Sequence, residues 1–283
     1  MTIIEEKENL KSVCWNITSC CNDNCSFCYR DNKSPMLTLD ENKEIANKLV
    51  EMGFNKISFV GGEPLLYNDL FILADYIKSI DSSIILSITT NAILLTEYNE
   101  NINTFEVNSY LIEKILIHFD WVTLSIEGSN PKQQYITGRN ENHFLRIHTI
   151  LDYLNSNESI KIKINTFVSK KNITFLQDIA MLLSNYRIDR WKLMPFLPSR
   201  YSANKNQTNY FLDSNEYIYS IKKLLCNLDS KTLSISIDTE TDYCNKYINI
   251  SSDGKIISFN GKDYRDLINI KNETINCIKQ KLA

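Results

Sequence analysis

The sequence predicts an α/β protein: a TIM-like partial (β/α)6 barrel, open at one side, with a C-terminal extension holding a β-hairpin and a helix. Three observations carry this. Strand-like and helix-like segments alternate in six successive units between Val13 and Leu228. That pattern gives parallel strands joined by right-handed crossovers. Six units rather than eight leave the barrel unclosed, with strand-end loops gathered on one face. A length of 283 residues with 43% hydrophobic content supplies one large core. Residues 1–228 are expected to form the barrel with its N-terminal loop, and 229–283 an extension packing on it.

Each element follows in order. Val13–Thr18 reads as the first strand and runs into a cysteine-rich loop. Thr38 and Glu41 form a capping box opening a helix over Asp40–Met52, which Gly53 stops. Lys56–Val60 is the second strand and turns through Gly61-Gly62-Glu63-Pro64 into a helix over Asp69–Ile80. Ser83–Thr90 is the third strand, and a helix lies within Phe105–His118. Trp121–Ile126 is the fourth strand, followed by a helix over Asn142–Leu154. Lys161–Val168 alternates lysine with apolar residues as the fifth strand, and Asn172 caps a helix to Leu183. Trp191–Leu197 is the sixth strand, and a helix spans Asn215–Leu228. Beyond it, Thr232–Ile237 is strand-like, Tyr247–Phe259 reads as a hairpin around Asp253-Gly254, and the last twenty residues read as helical.

Composition excludes some classes. A net charge of −3 argues against nucleic-acid binding, which needs excess Lys and Arg. No apolar run approaches the roughly 18 residues of a membrane span. Met1–Leu10 is polar with no apolar signal core, so a reducing cytoplasm is expected, with thiols buried or ligating.

The chemistry is concentrated in Cys21-Asn22-Asp23-Asn24-Cys25-Ser26-Phe27-Cys28. Three thiolates on one short loop can hold three irons of a [4Fe–4S] cube and leave the fourth open to a small molecule. An electron-transfer cluster has four cysteine ligands. A structural zinc site needs a fourth ligand at paired spacing, and disulfides need an oxidising compartment. The C-x3-C-x2-C spacing with an aromatic before the last cysteine resembles the radical S-adenosylmethionine (SAM) superfamily. That resemblance implies a [4Fe–4S] cluster on Cys21, Cys25 and Cys28, with SAM cleaved to a 5′-deoxyadenosyl radical. It further implies SAM contacts from Gly61, Gly62 and Glu63, and from the strand ends at Asn91 and Ser125. Without it, a glycine pair beside a carboxylate is equally an ordinary β–α turn.

Lys163 and Asn165 share one strand face, as do Arg190 and Lys192, on neighbouring strands. Charge gathered inside a barrel is costly unless it meets an anion; a solvent-facing side, with lysines reaching outward, is the alternative. The layout is also similar to the viperin-like SAM-dependent nucleotide dehydratases, from Val13 to the late hairpin. Lys56 before the glycine pair, Gly138-Arg139, Lys163-Ile164-Asn165, Arg190-Trp191-Lys192 and Tyr247 carry that similarity. It implies that Lys56, Arg139, Lys163, Asn165, Arg190 and Lys192 bind a nucleoside triphosphate, with Tyr247 near ribose or base. It also implies dehydration to a 3′-deoxy-3′,4′-didehydro nucleotide in antiviral defence, with electrons from flavodoxin or ferredoxin. The chain departs from that family at Cys14, where asparagine is usual, at Val60, where serine is common, and at Tyr29-Arg30-Asp31 after the loop.

Two alternatives stay open: a radical SAM enzyme modifying a peptide or small molecule, and a non-enzymatic iron–sulfur sensor or scaffold. The remaining thiols, Cys14, Cys20, Cys226, Cys244 and Cys277, lack paired spacing and read as buried small apolar residues.

Overall fold

The computed structural model describes residues 11–30, 33–198, 201–228, 233–245, 247–260 and 264–282. Met1–Leu10, read as lacking a signal core, and Asp31 lie outside the described residues, as does the side chain of Cys244.

Strand β1 (Ser12–Thr18) enters the cysteine loop, and helix α1 (Leu39–Glu51) follows. The capping box forms: Thr38 Oγ1 accepts from Glu41 N–H at 3.4 Å, and Glu41 returns a carboxylate to Thr38 N–H at 2.8 Å. Next come β2 (Lys56–Gly61), α2 (Leu70–Ile80) and β3 (Ile85–Thr90). A small hairpin, β4 (Thr96–Asn99) and β5 (Thr104–Val107), precedes α3 (Ser109–His118). The helix expected within Phe105–His118 is α3; Phe105 lies before it, in this hairpin, and packs its ring on Tyr98 at 5.4 Å. β6 (Trp121–Ser125), α4 (Pro131–Ile136), α5 (His143–Asn155), β7 (Lys161–Val168), α6 (Leu176–Leu183) and β8 (Arg190–Pro195) complete the six units. Asn172 is no cap for α6; its amide bonds Ser169 N–H and Phe167 O, pinning the turn after β7.

Short helices α7 (Tyr201–Lys205) and α8 (Gln207–Tyr210) lead to α9 (Ser214–Asn227). Then come β9 (Ile235–Ile237), α10 (Glu240–Asn245), β10 (Ile248–Ile250), β11 (Lys255–Phe259), β12 (Tyr264–Asn269) and α11 (Ile275–Leu282).

The main sheet runs β12-β11-β10-β1-β2-β3-β6-β7-β8-β9. The six expected strands lie side by side in chain order, all parallel. Two further parallel strands flank them, β10 beside β1 and β9 beside β8. The hairpin around Gly254, whose φ is +80°, joins β10 to β11, and β12 extends it. The final segment is therefore not one helix: Tyr264 buries its ring against Phe259 at 5.2 Å, which fixes residues 264–269 as an edge strand. Lys48 on α1 ties this tail down through the carbonyls of Ile270, Lys271 and Glu273, at 2.8–3.0 Å. No helix among the described residues is long and apolar enough to cross a membrane.

Side chains alternate across the sheet. Trp15, Ile57, Phe59, Leu86, Ile88, Val122, Leu124, Ile162, Ile164, Trp191 and Leu193 are fully buried beneath the helices, each worth about 1.5–3 kcal/mol when taken out of water. The opposite face carries Cys14, Asn16, Lys56, Ser58, Thr123, Ser125, Lys163, Asn165, Arg190 and Lys192. Barrel interiors are ordinarily filled by Val, Ile and Leu. This one is polar and cationic.

Candidate active site

The cysteine loop starts where β1 ends. Cys28 N–H bonds Cys25 O at 3.1 Å, turning the last cysteine back toward the second. Donors approach each sulfur: Asp23 N–H lies 3.4 Å from Cys21 Sγ, Arg30 N–H 3.4 Å from Cys28 Sγ, and Arg139 Nη1 3.4 Å from Cys25 Sγ, while the Cys25 thiol itself donates to Asp23 Oδ2 at 3.2 Å. The bonds donated to sulfur stabilise it in its thiolate form. Burial works the other way, joined at Cys25 by the Asp23 carboxylate, and holds the Cys21 and Cys25 thiols above the ordinary cysteine value. Among the described residues no three His, Cys, Asp or Glu side chains converge on the position of a single metal ion. An iron–sulfur cube is gripped at separate corners, so its ligands stand apart. A hollow lined by Cys21 to Asn24 and by Gly138 to Asn140 adjoins the loop. Cys20 is exposed rather than buried, as is Cys226 on α9.

The glycine pair at the end of β2 clamps this loop. Gly62 N–H bonds Thr18 O and Glu63 N–H bonds Cys20 O, both at 2.8 Å. A Cβ on Gly62 would stand 1.8 Å from Cys20 O, and one on Gly61, at φ +130°, 2.5 Å from Thr18 O. No side chain fits at either position. Glu63 is 1% exposed. Its carboxylate accepts from Thr90 Oγ1 at 2.8 Å, Asn91 N–H at 2.7 Å and Leu65 N–H at 3.3 Å. Burial outweighs these donors and pushes its pKa up to about 7. Glu63 thus welds the end of β3 to the turn. Asn91 then donates to Asn22 Oδ1 at 2.9 Å and approaches Cys21 Sγ at 3.7 Å. Ser125 ends β6 opposite Asn165 on β7.

Arg139 stands beside the cysteine loop. It grips Glu127 through Nε at 2.8 Å and Nη2 at 3.0 Å, and its guanidinium lies 4.8 Å from the Phe27 ring centroid. Gln134 braces the pair, donating to Glu127 Oε2 at 3.0 Å. Gly138 is pressed against Ser26 and Tyr210, where a Cβ would meet both hydroxyls within 2.3 Å. Arg139 is therefore held beside the cysteine loop by a buried carboxylate.

The other cations gather in the barrel. Lys163 lies opposite Arg190, and Asn165 opposite Lys192. Lys56 Nζ and Arg190 Cζ lie 5.2 and 5.5 Å from the Trp121 ring centroid. Lys163 is pushed down to about 7 by burial and by the charges of Lys192, Lys56 and Arg190. Asn165 Oδ1 is buried and without a hydrogen-bond partner. Lys192 is paired with Asp238 at 2.8 Å and bonds the Tyr247 hydroxyl. Tyr247 thus reaches the same group from the segment before β10. Sequence alone does not mark Glu127, Trp121 or Asp238 as members of the site. The position of Glu127 two residues beyond Ser125 is a signal for it; nothing local marks Asp238.

A radical SAM superfamily model matches residues 15–168, more than half of the chain. A protein of Flammeovirga pacifica named S-adenosylmethionine-dependent nucleotide dehydratase is 29% identical over 275 residues, covering 90% of this chain and 84% of its own length. One of the same name from Lacinutrix mariniflava is 28% identical over 220 residues, covering 73% of this chain but only 42% of its own length. The fold is similar to that of Streptococcus suis SuiB bound to S-adenosylmethionine, with a TM-score of 0.69 at 16% identity over 95% of this chain and 65% of that one.

Proposed function

This chain belongs to the radical SAM superfamily, and on that premise we propose that it dehydrates a nucleoside triphosphate inside its barrel. Its cofactors are a [4Fe–4S] cluster and SAM. When bound, they supply a 5′-deoxyadenosyl radical that takes a hydrogen atom from the substrate. Cys21, Cys25 and Cys28 would hold the cluster, and the sulfur-directed donors and the crowded glycine pair fit that role. Glu63 orders Asn91 and the backbone of Gly61 and Gly62 for SAM, and Ser125 completes that rim. Glu127 holds Arg139 beside Cys25, where a cation favours thiolate. In this reading residues 1–228 are the catalytic barrel. Residues 229–283 form an extension that brings Asp238 and Tyr247 to the substrate. The electron donor is a small external redox protein such as flavodoxin or ferredoxin.

One observation carries the substrate. Lys56, Lys163, Arg190 and Lys192 come from three strands onto one interior face, around Trp121 and Cys14. Cations that press on Lys163 in this way are unfavourable alone and favourable around a polyanion. The nucleotide dehydratases among the relatives make a nucleoside triphosphate the polyanion of choice. A hydrogen atom is then taken from C4′ of the ribose, the 3′-hydroxyl takes up a proton and leaves as water, and one further electron from the external donor closes the C3′–C4′ double bond. Calorimetry with each nucleoside triphosphate tests the site. Arg190→Ala is expected to weaken binding about tenfold or more, as for loss of a charge-assisted hydrogen bond; equal affinity in wild type and variant overturns the assignment.

A further inference from the structure

We infer that Asp238 reads the ribose, accepting a hydrogen bond from one of its hydroxyls, and so selects ribonucleotides over deoxyribonucleotides; this rests on the nucleotide reading above. Asp238 stands one residue beyond β9, its N–H bonded to Leu193 O at 2.9 Å and its carbonyl to the Tyr217 hydroxyl at 2.8 Å. The residue is 5% exposed, and Lys192 is 7% exposed. Oδ2 accepts from Lys192 Nζ at 2.8 Å and from the Tyr247 hydroxyl at 2.9 Å; Oδ1 accepts from that hydroxyl at 2.8 Å. Backbone and carboxylate are therefore both fixed.

A carboxylate is misplaced in a cage for phosphates, which it repels. Its presence divides the interior into two ends. Around Trp121, Lys56 and Arg190 form a cationic end together with Lys163. At Asp238 the charge of Lys192 is neutralised within a salt bridge, and what remains is a set of hydrogen-bonding oxygens. Arg190 and Lys192 are two residues apart on one strand, about 7 Å. Cys14 feels Lys192, Lys163, Lys56 and Asp238 together, so the two ends adjoin. A nucleoside triphosphate has the same polarity: an anionic tail, then a neutral diol. A carboxylate offers about four acceptor positions, and the contacts with Lys192 and Tyr247 use three of them. A site built to bond a hydroxyl discriminates against the analogue that lacks it.

The test is calorimetric and needs no turnover. Ribonucleoside triphosphates, their 2′-deoxy and 3′-deoxy analogues, and inorganic tripolyphosphate are titrated into wild type, Asp238→Asn and Asp238→Ala. Wild type is expected to prefer the ribonucleotide over at least one deoxy analogue by about tenfold or more. In the variants that preference falls to within about threefold, while tripolyphosphate binds at least as tightly as before. Asp238→Asn preserves side-chain size should Asp238→Ala fail to fold. Equal binding of ribo and deoxy forms by wild type, or a preference that survives in Asp238→Asn, overturns the inference and leaves the nucleotide reading standing. Failure of wild type to bind any triphosphate overturns the nucleotide reading itself.

Discussion

Replacing Lys163 with methionine should stabilise the free protein while damaging its site. Lys163 is partly buried, and desolvation, followed by the like charges of Lys192, Lys56 and Arg190, holds its pKa near 7, against 10.5 for a free lysine. Each step of one in pKa between folded and unfolded chain is worth about 1.4 kcal/mol. At pH 6 the side chain is protonated folded and unfolded, so the whole penalty, about 5 kcal/mol, opposes folding. At pH 9 the folded form is neutral and the unfolded form still charged, which leaves about 2 kcal/mol. The sign follows from proton counts: between the two pKa values the unfolded chain binds more protons, so stability rises with pH. Lys163→Met removes this contribution. Denaturant unfolding of the metal-free protein at pH 6 and pH 9 reads the difference. The variant's advantage should shrink by about 3 kcal/mol from pH 6 to pH 9. Changes in packing are the same at both pH values and cancel. A difference between variant and wild type that does not change with pH refutes the buried cationic cluster.

Further outcomes follow from the same geometry. Above pH 7, wild-type affinity for a nucleoside triphosphate should fall by up to about tenfold per pH unit, because binding recharges Lys163 and so takes up a proton; calorimetry from pH 7.5 to 9.5 measures it, and Lys163→Met should flatten the dependence. Cys21→Ala, Cys25→Ala and Cys28→Ala should each fail to retain a cluster, seen as lost iron and visible absorbance after anaerobic reconstitution. Gly62→Ala, whose methyl group would meet Cys20 O at 1.8 Å, should lower iron content although every thiol is present. Glu127→Gln leaves Arg139 buried without its carboxylate and should cost about 3–5 kcal/mol in unfolding free energy.

The six central strands are legible in the sequence because each joins β-branched and apolar residues to a following helix with its own start signal, such as Thr38 and Glu41. The flanking strands are harder to read. β9 and β10 are three residues each, too short to show a period. β12 is recognisable only once Tyr264 meets Phe259. Within the site, Cys21, Cys25, Cys28 and the glycine pair announce themselves by spacing, since a loop that grips one group must be local. Lys163, Asn165, Arg190 and Lys192 are legible through strand alternation. The pairing of Arg139 with Glu127 is not legible, because nothing local to the Gly138-Arg139 pair marks the carboxylate it meets. Asp238 is illegible for a related reason: its partners, Lys192 and Tyr247, are 46 and 9 residues away, and only the fold brings them together.

The central claim is that the three-thiol loop and the cationic interior act on one nucleotide. Anaerobic incubation of the reconstituted protein with SAM, a one-electron reductant and each nucleoside triphosphate in turn measures this directly. The account predicts that one of them stimulates 5′-deoxyadenosine release and is itself converted to a product lighter by one water. Release that no nucleoside triphosphate stimulates would contradict it.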